Sequence, residues 1–157
     1  MSFPKIPSGL DSRAGPRLQA EAELLAALIR DPALLAGVPS DLPLGPMPRE
    51  LLRGLADAVR RGIEGEEARV SGLFALASED SGMASTLAGI VSCLDRIHSP
   101  GESVRQTIRF LLRDTEEQAL RALKSRLRQA QESGDEAVAL RLKREIFEQI
   151  RKTRQTT

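Results

Sequence analysis

Catalysis needs groups that exchange protons, hold metals or attack electrophiles, and few residues of this chain are placed to do so. The single histidine, His98, stands beside Ser99-Pro100, which removes triads and most acid–base pairs. A cation or cap at a helix end is its ordinary role there. The single cysteine, Cys93, lies beside Leu94 in an apolar stretch and reads as a small buried hydrophobe. One Cys and one His cannot build a zinc site, and one Cys cannot close a disulfide within the chain. The acidic pairs Glu116-Glu117 and Asp135-Glu136 sit among basic residues, where solvation or helix capping accounts for them better than metal binding. Arg60-Arg61 closes a helix, where the macrodipole favours cations. Neither a GxxxxGK[ST] phosphate loop, nor HExxH, nor GxSxG occurs. The residues therefore predict no catalytic centre, no cofactor and no metal, and the chain is not expected to be an enzyme.

What remains is contact chemistry. The sequence has 157 residues, 41% hydrophobic but only 3% aromatic, with no Trp or Tyr. A core made of Leu, Ala, Ile and Val favours packed helices over a β-sandwich, and platforms for stacking bases are nearly excluded. A formal net charge of +1 argues against binding driven by phosphate neutralisation, so little or no direct nucleic-acid binding is expected. No apolar run approaches the roughly 20 residues that cross a bilayer, and the opening residues lack a secretory pattern. A soluble, cytoplasmic protein, monomeric when alone and without membrane contact, is expected.

The elements follow from periodicity and punctuation. Residues 1–15, rich in Pro, Gly and Ser, read as a flexible leader or the end of a linker. Leu18, Ala22, Leu25 and Ile29 repeat at helical spacing through Arg30. Asp31-Pro32 stops that helix and caps a short second one, with Leu34, Leu35 and Val38 inward. PSDLPLGPMP reads as loop, and Pro48 restarts a helix that ends near Gly62 and Gly65. A shorter helix is expected at about 71–78, a turn at 79–82, and another helix at 83–97. Residues 16–98 thus form a helical globular subdomain.

The character changes at His98-Ser99-Pro100-Gly101. Residues 102–157 hold 13 Lys/Arg and 9 Asp/Glu, a formal +4 against −3 for the remainder. A long helix of about 30 residues is expected from Val104 to Ala130. Gly134 then suits the left-handed position beyond a helix end, and Asp135 suits the cap of a second helix to about Lys152. So short a turn makes the pair an antiparallel hairpin over 102–153. The fold class is all-α: a small helical bundle followed by a C-terminal helical hairpin. Val138, Leu142, Ile146 and Ile150 mark the inner stripe of the second helix, while Leu111, Leu120, Leu140 and Phe147 fall off the seam. Part of that surface is a candidate docking face for another protein. Leu123, Leu140, Phe147 and Ile150 are its candidate anchors, and Arg126 and Arg144 belong to its basic rim.

Two stretches carry a family resemblance. AEAELLAALIRDPALLAGVP resembles the opening of the C-terminal helicase-interaction domain of bacterial DnaG-type DNA primases. ALRALKSRLRQAQESGDEAVALRLKREIFEQIRK resembles that domain's closing hairpin, the turn at Gln129–Asp135 being its most telling piece. The resemblance covers about residues 18–152. It implies a helical bundle with a terminal hairpin that binds the N-terminal collar of the hexameric replicative helicase and recruits primase to the replication fork. Neither the zinc module nor the polymerase domain of a complete primase fits in this chain. A related fold forms the N-terminal domain of DnaB-type helicases, and LQAEAELLAALIRDPALL fits that relative nearly as well. The alternative it implies is a self-associating helical collar. A third reading is nucleic-acid binding through the +4 hairpin.

Overall fold

The computed structural model describes residues 15–156, which form six α-helices and two short 3-10 segments. Among them there is no strand, in keeping with the all-α expectation, and no helix is long and apolar enough to cross a membrane. The expected leader falls almost wholly on residues 1–14, outside the described residues. The chain divides into two compact units, the first extending to Leu111 and the second starting at Leu112.

The first unit is organised around α1 (Gly15–Arg30). Every residue from Leu24 to Ile29 is buried, so this half of the helix has no wet face and must be surrounded. It is surrounded by α2 (Pro46–Arg60), α3 (Glu66–Leu76), α4 (Ser81–Cys93) and the 3-10 segments Pro32–Gly37 and Leu94–Arg96. Leu42, Leu51, Leu55, Leu73, Leu87, Ile90 and Ile97 complete one core with it. α5 (Pro100–Ser133) opens at Pro100, and its first turns place Val104 and Leu111 in that same core. The compact unit thus continues past Pro100-Gly101. Leu111, expected to lie off the seam, is fully buried here.

A helix enclosed on all sides leaves its last carbonyls without water, and at Ile29 an arginine takes the place of water. Arg69 of α3, itself buried, donates Nε–H to the Ile29 carbonyl at 2.8 Å. Arg30 donates from Nη1 to the Ile97 carbonyl at 2.7 Å and pairs through Nε with Glu66 at 3.0 Å. A third arginine, Arg17, reaches the Pro43 carbonyl at 2.7 Å.

Glu21 is the one buried carboxylate of α1, 3% exposed. Its Oε2 accepts the Gly45 N–H at 2.7 Å. Gly45 is the N-cap of α2 and brings no side-chain acceptor, and Pro46 and Pro48 bring no N–H. Glu21 does from another helix what the acidic residue of a capping box does from within, and its charge faces the positive end of α2.

Several boundaries differ from the sequence expectation. α2 begins at Pro46 rather than Pro48, because two prolines are tolerated in a first turn. Its C-terminus is closed by Gly62 at φ +81°, with Ile63 N–H on the Ala58 carbonyl at 3.1 Å and Gly62 N–H on the Val59 carbonyl at 3.0 Å. α3 begins at Glu66, ahead of the expected 71, with Glu66 and Glu67 in its first turn. α4 begins at Ser81, where a turn was expected, because Asp80 accepts the Met83 N–H at 3.0 Å. Asp31, expected to cap, makes no side-chain capping bond, and the segment it precedes is a 3-10 helix.

Cys93 is buried, as its neighbours implied. Its thiol donates to the Gly89 carbonyl at 3.4 Å, and its sulfur accepts from Arg96 at 3.3 Å. Burial pushes its pKa above the ordinary value, with the Arg96 guanidinium pulling the other way.

Glu21→Ala strands the Gly45 N–H beside a proline-bound turn and should cost roughly 2 kcal/mol in urea unfolding, with Glu21→Gln retaining part of it. Cys93 should resist thiol reagents in buffer and react only as the protein unfolds. Because its native pKa is raised, its contribution to stability is complete at neutral pH. That contribution falls as pH climbs above the ordinary thiol value and through the native one, so urea midpoints should drop less in Cys93→Ala at alkaline pH than in wild type.

Candidate protein-docking face

The second unit contains the rest of α5 and α6 (Glu136–Thr156). Between them Gly134 takes φ +76°, a conformation L side chains rarely adopt. Asp135 N–H donates to the Ala130 carbonyl at 3.0 Å and Gly134 N–H to the Gln131 carbonyl at 3.3 Å, which closes α5 in a Schellman arrangement. Asp135 then caps α6, its Oδ1 accepting the Val138 N–H at 3.2 Å. The Ser133-Gly134-Asp135 reading holds atom by atom.

The seam is narrow. Ala130, Ala139 and Leu142 are buried together, with Leu123, Leu127 and Val138 packed against them. Small residues at 130 and 139 let the helices approach closely, and Leu142 is the one large side chain fully buried in this cluster. Ile146 and Ile150 are half-buried.

The six candidate docking residues divide accordingly. Leu123 is half-buried and packs against the seam, so it is a structural residue before it is an anchor. Ile150 is half-buried, and Arg126 is exposed on α5. Leu140 is 53% exposed and Phe147 71% exposed, the two most exposed large apolar side chains among the described residues. Arg144 is exposed between them. The spacing of 140, 144 and 147 puts these three on one stripe of α6, opposite Val138 and Leu142. Leu120, also expected off the seam, is half-buried.

Lys143 and Arg151 join this stripe, at three and eleven residues beyond Leu140. Arg151 is engaged by Glu148 at 2.7 Å. Among the described residues no ion pair involves Lys143 or Arg144. A helical projection of α6 alone separates this stripe from the other basic residues of the helix. On the flank, a shallow groove runs along Leu123, Arg141, Arg144, Glu145, Glu148 and Lys152. Its mixed charges and open shape fit a contact surface rather than an enclosed ligand site. Among the described residues, no three His, Cys, Asp or Glu side chains group as a metal site.

Comparison of the chain with protein-family models, curated proteins and solved structures gave no match.

A Cβ at Gly134 meets nothing within 4 Å, so Gly134→Ala should cost only the left-handed backbone, about 1–2 kcal/mol. Hydrogen exchange should quicken in α6 while the amides of Leu24–Ile29 keep their protection.

Proposed function

We propose that this chain is a non-catalytic protein-docking module of the primase type. In this reading it engages the N-terminal collar of the hexameric replicative helicase in the cytoplasm and recruits DNA primase to the replication fork. The observation that carries it is the pair Leu140 and Phe147, left in solvent on a helix whose opposite face is already used. A helix that needs only one face for its own hairpin gains no stability from a Phe on the other, whereas a docking helix needs such an anchor. The Schellman turn at Gly134 supports the same reading, since that turn is the most telling piece of the resemblance to the primase domain. Primer synthesis is assigned to no residue of this chain.

The reading predicts that wild type, mixed with its host's replicative helicase, is retained on the hexamer in sedimentation or light scattering. Phe147→Asp should weaken that association at least about tenfold, the loss of one hot-spot anchor. Its circular dichroism and urea midpoint should stay at wild-type values, because the side chain is exposed. A folded Phe147→Asp that binds as wild type does would remove α6 from the interface.

A further inference from the structure

The charges on α6 specify what the outward face takes. From Leu140 onward, the sector of about 120° centred on Phe147 contains Leu140, Lys143, Arg144, Phe147, Ile150, Arg151 and Arg154. All its charged residues are cations. The acids of the same stretch, Glu145 and Glu148, fall outside it, toward the groove beside Leu123. We propose that this face docks an acidic amphipathic helix of the partner protein, seating its apolar stripe on Leu140 and Phe147 and its carboxylates against Lys143 and Arg144. The inference rests on reading this face as a docking surface.

The geometry fits such an occupant. Leu140 and Phe147 are two turns apart, about 10 Å along the axis, the repeat at which a second helix presents apolar residues of one stripe. Lys143 and Arg144 lie between the anchors, so cations interleave with apolar contacts instead of ringing them. An acidic helix satisfies both at once. A second copy of this chain would bring the same cations face to face, a repulsive arrangement. A nucleic acid would satisfy the cations and leave Leu140 without a partner. Charge pairs at this exposed position act on encounter rate and on choice of partner more than on final affinity, so strong salt dependence is their signature.

Two synthetic helical peptides with the same Leu stripe, one with a Glu polar face and one with a Lys polar face, test this on the full chain. The acidic peptide should bind at least about tenfold more tightly in about 50 mM NaCl and lose most of that advantage by about 300 mM. It should perturb the amides of Leu140, Lys143, Arg144 and Phe147. Lys143→Glu combined with Arg144→Glu, both exposed, should reverse the preference with no change in the urea midpoint. Equal binding of the two peptides, binding of neither, or an undiminished acidic preference in the doubly reversed variant overturns the proposal. So does perturbation mapped elsewhere, tighter binding of single-stranded DNA through these residues, or self-association through them. The helicase provides the separating arm. If Phe147→Asp abolishes helicase binding but the charge reversals leave it intact, the acidic occupant is wrong and the helicase reading stands. If the acidic peptide binds as described and the helicase does not, the helicase reading is wrong and the acidic occupant stands.

Discussion

The enclosure of α1 is the constraint on which the first unit depends. A helix with Leu, Ala and Ile on every side from Leu24 to Ile29 is stable only if apolar neighbours surround it and its end carbonyls find donors. The neighbours come from three further α-helices, two 3-10 segments and the start of α5. Arg69 is the donor at Ile29, while Arg30, the last residue of α1, donates in turn to the Ile97 carbonyl. Glu21 ties the same helix to the start of α2. Polar residues in this unit are therefore spent on closing helix ends.

The second unit works under the opposite economy. Its seam buries Ala130, Ala139 and Leu142, with three flanking apolar residues, which is little for helices of this length. Turn chemistry compensates: Gly134 closes α5 and Asp135 opens α6 within two residues. A hairpin held by a narrow seam leaves most of α6 to solvent, where Leu140 and Phe147 and the cations between them are available to a partner. The proposed docking role and the modest intrinsic packing have one origin, namely that the outer face does no structural work.

The helical class, the stop at Asp31-Pro32 and the Gly134-Asp135 turn are legible in the sequence because each is local: a period, a proline, a positive-φ glycine and its cap. What periodicity cannot assign is the element that covers an apolar residue. Leu111 and Leu140 both fall outside the expected seam, yet Leu111 is fully buried with the first unit's core and Leu140 is in solvent. Leu123, a candidate anchor, also packs against the seam. Glu21 and Arg69 carried no sequence signal, since their partners lie 24 and 40 residues away. The early starts of α2, α3 and α4 had signals, Pro46, Glu66-Glu67 and Asp80, that the loop-like composition around them outweighed.

In the proposed reading α6, and not the enclosed globule, meets the partner. Hydrogen exchange read by mass spectrometry, on this chain alone and saturated with its host's hexameric helicase, tests it most directly. Added protection should concentrate in α6 around Leu140–Phe147, with exchange across Leu24–Ile29 unchanged. Protection confined to α1–α4 with α6 exchanging as it does alone would contradict it.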